Sequence, residues 1–112
     1  MLRPPITIAP VDNPVGPSLR VTGEIEMSTA PLLRDAILRY SLDHDGPIAL
    51  DMARVEFIDS AGISALVATQ NALAQQGKGI ELHGVPTNVA RIIELVGLTE
   101  HLRVRQPETL TD

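Results

Sequence analysis

The chain has 112 residues, a size that suits one folded domain around a single core, with 44% hydrophobic and 21% charged residues. It holds no cysteine, Tyr40 and Phe57 are its whole aromatic supply, and its formal net charge is -5. Disulfides, thiolate metal sites and a cysteine nucleophile are thereby excluded. A nucleic acid would find neither rings to stack on nor positive charge to meet its phosphates, so none is expected as a partner.

In chain order, "ITIAP" (6–10) is short and β-branched and predicts a first strand. "VDNPVGP" supplies turn residues, and "SLRVTG" (18–23) alternates as a half-buried strand does, so the two strands are expected to form a hairpin. The period then becomes helical. Leu33, Ala36, Ile37 and Tyr40 mark a helix over 29–43, with Ser28 or Thr29 as its cap and Pro31 in its first turn. "IALDM" (48–52) reads as a buried strand, and "ARVEFI" carries the chain on to Asp59.

From Ala61 a second helix is expected. Ile63, Leu66, Val67, Leu73 and Ala74 form its apolar face, Ser64, Thr69, Gln70, Asn71 and Gln75 its solvated one, and Gly77 its stop. "GIELHG" (79–84) predicts a strand and "PTNVARIIELVG" (86–97) a helix burying Val89, Ile92, Ile93 and Val96. "HLRVRQ" can add a last strand, and the polar tail 106–112 is expected to fray. Strands alternating with helices after a hairpin imply parallel pairing through right-handed crossovers, hence one α/β domain over 1–112 with its core at about 6–105.

No run of 18 apolar residues and no leader pattern at the amino terminus appear, so a cytoplasmic protein is the expectation. Enzymatic chemistry finds little support. His44, His83 and His101 share no metal-ligand spacing, and neither a phosphate-binding glycine loop nor a hydrolase elbow is present. No metal and no cofactor is expected. Asp51 could accept a phosphoryl group as receiver-domain aspartates do. The acidic pair such domains need near the amino terminus is missing, and an Asp ending a strand is the simpler account.

Ser60 is more informative. In "FIDSAGI" (57–63) it follows Phe57 and Ile58, expected to be a buried approach, and stands directly before the second helix. A hydroxyl there can cap that helix. The same place, with free N–H groups and the positive end of the helix dipole, also tolerates a phosphoryl group. Asp59 could cap the helix instead. Gly62 either opens the site to a partner's backbone or allows close packing of the helix on the sheet.

At these residues the chain resembles the STAS family, and within it the bacterial anti-sigma factor antagonists. "VTGEIEMSTAPLLRDAI" is similar to that family's strand–turn–helix opening, "IALDMARVEFIDSAGISALV" to its central strand and phosphorylation loop, and "GKGIELHGVPTNVARIIELVGL" to its closing strand and helix. The resemblance implies a mixed sheet, a hairpin followed by parallel βαβ units, with helices mainly on one face. It also implies a binding domain without catalysis of its own. In its unphosphorylated form such a protein binds an anti-sigma factor of the histidine-kinase-like ATPase type and so releases a sigma factor. That partner is also the serine kinase that reverses the binding, and a PP2C-type phosphatase restores it. Carried onto this chain, the phosphoacceptor is Ser60. The partner surface comprises Glu24, Glu26, Ser28, Asp59, Ala61, Gly62, Ile63 and Ile92. The exposed site points to a protein monomeric when free, and the lack of an apolar span to one without a membrane partner. Two positions depart from the pattern: Glu26 stands where an aspartate is usual, and Ala61 replaces a frequent second hydroxyl. The alternative within the same fold is a subunit of a larger assembly, such as a lipid-transport complex or a signalling scaffold.

Overall fold

A computed structural model describes residues 5–14 and 16–105; the expected tail 106–112 lies outside them. Eight elements run in the order β1 (Ile6–Pro10), β2 (Ser18–Ile25), α1 (Ala30–Ser41), β3 (Ile48–Ile58), α2 (Ser60–Ala74), β4 (Ile80–His83), α3 (Thr87–Leu95) and β5 (Val104–Arg105). They form one five-stranded sheet in the order β1-β2-β3-β4-β5. β1 and β2 pair antiparallel as the hairpin, and β2 to β5 pair in parallel. Because each crossover steps one strand in the same direction, right-handed connections place every helix on the same face. This is the mixed architecture expected from the sequence.

The core between sheet and helices is aliphatic. Leu19, Val21, Ile25, Leu50, Met52, Ile58 and Leu82 meet Leu33, Ile37, Leu66, Leu73, Val89 and Ile93, all buried. The opposite face of the sheet is polar. Register lines up Arg20, Asp51, His83 and Arg105 across four strands. Arg20 Nε lies 3.1 Å from Asp51 Oδ2, and Glu81 lies 3.2 Å from His83 and 3.6 Å from Arg105. These pairs are solvent-screened and contribute little each, but they make the uncovered face compatible with water.

Several expectations need correction. β3 runs unbroken through "ARVEFI"; register shifts opposite Arg20/Thr22 and Gly23/Glu24 place extra residues in it. Buried residues therefore fall at 48, 50, 52, 55 and 58, and the change of spacing after 52 hides the second half of the strand from a period-two search. Asp51 consequently lies inside a strand, where Arg20 and the Ala53 N–H occupy its carboxylate. Phe57 is 45% exposed, on the helix-free face, and only Ile58 is the buried approach. Thr69 and Gln70 are buried although polar, because each is satisfied: Thr69 Oγ1 donates to Ala65 O, and Gln70 Oε1 accepts from the Ile80 N–H at 2.7 Å. Val96 and Ala74 are exposed, beyond the packed part of their helices.

Candidate functional site

The parallel register of β2 and β3 ends with Glu24 beside Phe57 and Ile25 beside Ile58. Both strands thus hand over to a helix at the same edge of the sheet, which brings the β2–α1 turn (26–29) next to the start of α2. One hydrogen bond ties the two together: the Asp59 N–H donates to Ile25 O at 3.2 Å.

The β2–α1 turn is held by its own side chains. Thr29 is buried; its hydroxyl donates to Glu24 O at 2.7 Å and accepts from the Glu26 N–H at 2.9 Å. The Ser28 N–H and hydroxyl both donate to the Glu26 carboxylate, over 2.7–3.0 Å. Thr29 occupies the N-cap position of α1, yet its side chain makes no capping bond to the helix, having turned back into the loop. The expected cap from Ser28 or Thr29 is therefore replaced by a side-chain clip. Glu26, with its extra methylene, reaches the Ser28 N–H two residues on.

At α2 the division of labour differs. Asp59 is extended at φ -114°, and its Oδ1 accepts from the Gly62 N–H at 2.9 Å. Asp59 is the cap, and Ser60 is the first helical residue, not the capping one. The Ser60 side chain is exposed and has no hydrogen-bond partner among the described residues. Gly62 is buried, and a Cβ there would lie 2.5 Å from Ile25 O and 2.8 Å from side-chain carbons of Ile25 and Ile58. Close packing of α2 on β2 and β3, not access, is thus what requires glycine.

Of the expected partner-facing residues, Glu24 and Ser28 are exposed, and Glu26, Asp59 and Ala61 are half-buried around Ser60. Ile63 is buried in the core and Ile92 is half-buried on α3. Sequence reasoning named Thr29 only as a helix cap and did not single out Ile25. The run "MSTAP" marks a polar helix entry, but only the fold shows Thr29 turning inward. Among the described residues no group of three or more His, Asp or Glu side chains is placed to hold a metal ion, and no helix is long and apolar enough to cross a membrane.

Residues 9–106 match the family model described as Mlab, STAS domain. The chain belongs to the STAS domain family. A crystal structure of an anti-sigma factor antagonist from Mycobacterium paratuberculosis is 31% identical with a TM-score of 0.75, over 94% of this chain and 87% of that one. The anti-sigma-B factor antagonist of Listeria monocytogenes is 27% identical over 88 residues, 79% of this chain and 77% of that protein. The unphosphorylated form of the anti-sigma factor antagonist SpoIIAA shares the fold, with a TM-score of 0.72 at 15% identity, over 91% of this chain and 89% of that one. The STAS elements of this chain thus include both helix entries that flank Ser60.

Proposed function

We propose that this protein is an anti-sigma factor antagonist whose binding is switched by phosphorylation of Ser60. The observation that carries the proposal is the free, exposed Ser60 hydroxyl at the first position of α2, in a junction that Asp59 and Gly62 hold without its help. A kinase can take that oxygen without undoing the fold. The names of the relatives support the same reading. Unphosphorylated, the edge formed by Glu24, Ser28, Asp59, Ser60 and Ala61 docks on an anti-sigma factor, with Ile92 at its margin. Gly62 and Ile63 act from beneath by setting the helix in place. The partner is an ATPase-type serine kinase, and a PP2C-type phosphatase reverses its action. A phosphate adds about -1.5 to -2 charges at one point of an already acidic protein, next to Asp59. Docking then weakens by repulsion and by the desolvation of that charge. The domain is a binding module and performs no catalysis itself.

Affinity capture with the unphosphorylated protein and with Ser60→Ala should retain the anti-sigma factor, and Ser60→Glu should lose it. Incubation of the captured kinase with ATP should add one phosphate, on Ser60, detectable by mass spectrometry. Equal retention by Ser60→Glu would sink the switch, and capture of a transporter permease instead would assign the chain to a larger assembly.

A further inference from the structure

Helices α1 and α2 pack side by side and leave a shallow groove between them. Met27, Pro31 and Arg34 line one wall, and Ala61, Ser64 and Ala68 line the other. Arg34 is the one charged residue in this lining. Its guanidinium is weakly engaged: Asp35 Oδ1, from the adjacent residue, is 3.6 Å away, and both side chains are more than half exposed. An exposed pair at that distance holds an arginine loosely.

Ser60 does not itself line this groove; it is the first residue of α2, next to the lining residue Ala61. It stands four residues before Ser64, so Ser60 and Ser64 share one stripe of α2 about 6 Å apart along the axis. Helical side chains lean toward the amino terminus, which tilts the Ser64 end of the groove toward Ser60. An arginine already lining the groove at Ala61 and Ser64 therefore has about one helical turn to cover to reach a group on Ser60.

We infer that Arg34 is the intramolecular counter-charge of phosphorylated Ser60. The inference rests on Ser60 being the phosphoacceptor. A guanidinium presents paired N–H donors that match phosphate oxygens, and it gives up little by leaving Asp35. Within residues 24–29 and 56–62 the charged side chains are Glu24, Glu26, Glu56 and Asp59, all acidic, and Asp35 follows Arg34 on α1. Arg34 thus offsets part of the added charge and is drawn across the mouth of the groove, over Ala61 and Ser64. Phosphorylation then changes the shape of this edge as well as its charge.

The test needs no kinase. Phosphoserine is installed at position 60 during translation, and the phosphate is titrated by phosphorus NMR. Its second pKa, ordinarily about 6, should lie lower in the parent than in Arg34→Gln. Arg34→Lys should retain part of the shift, and Asp35→Asn, which frees the guanidinium, should deepen it. The helix dipole acts alike in all four proteins and cancels. As a second readout within the parent sequence, the Arg34 Nε–H resonance should move between the serine and phosphoserine forms. Identical phosphate titrations in parent and Arg34→Gln, or an unmoved Arg34 resonance, would overturn the inference. Failure of any kinase to modify Ser60 would count against the proposed function and leave this titration untouched.

Discussion

Two strand-to-helix junctions lie side by side at one edge of the sheet, and they solve the same problem in opposite ways. In the β2–α1 turn the hydroxyls do the holding: Thr29 bonds Glu24 O and the Glu26 N–H, and Ser28 closes on the Glu26 carboxylate. In the β3–α2 junction the acid does it, through Asp59 and the Gly62 N–H, and the neighbouring hydroxyl is left over. A serine spent on structure cannot be modified without loss of shape. One that structure does not need is available for signalling. The contrast between Ser28 and Ser60 is thus a difference in who satisfies the backbone, although both are exposed hydroxyls one or two residues from an acid.

Substitutions that break each junction at its own fastening separate the two. The largest effect is expected at Gly62, where both junctions meet. Gly62→Ala would drive a Cβ to 2.5 Å from the backbone oxygen of Ile25, which cannot rotate away as a side chain could. The helix propensity gained does not offset such a clash, and we expect a net loss of roughly 3 kcal/mol, read from the urea midpoint. Next is Thr29→Val, which keeps the shape and takes the hydroxyl partner from two part-buried backbone groups, Glu24 O and the Glu26 N–H. A loss of about 2 kcal/mol is expected. If Thr29→Val proved neutral, the β2–α1 turn would not be held by its hydroxyl.

The sequence carried much of this and missed it in particular places. The order of elements and the parallel sheet follow from the change of hydrophobic period and from turn residues, both local signals. The length of β3 was hidden because bulges break its alternation, and a bulge depends on the neighbouring strand. Gln70 looked solvated because its partner, the Ile80 N–H, is ten residues away and on another element. Phe57 looked buried because a ring usually is, yet its side of the sheet has no helices over it. At the junction, Asp59 and Ser60 are both good caps by residue type. Which one caps depends on where the helix starts, and that is set by how tightly Gly62 lies on Ile25. Local chemistry proposed the site, and tertiary packing divided its roles.

That division is tested most sharply by the smallest effects. Asp59→Ala removes the bond to the Gly62 N–H and should cost about 1 kcal/mol, with Asp59→Asn retaining most of the stability. Ser60→Ala removes a hydroxyl that has no partner among the described residues. Alanine is also the better helix former, so its stability should stay within about 0.5 kcal/mol of the parent. Were Ser60 the cap, the two variants would exchange places, and Ser60→Ala would show the larger fall in urea midpoint. The comparison is made at one helix end, and Asp59→Asn separates the loss of the Asp59 charge from the loss of its capping oxygen. A stable Ser60→Ala that can no longer be phosphorylated would then separate the switch from the scaffold within two adjacent residues.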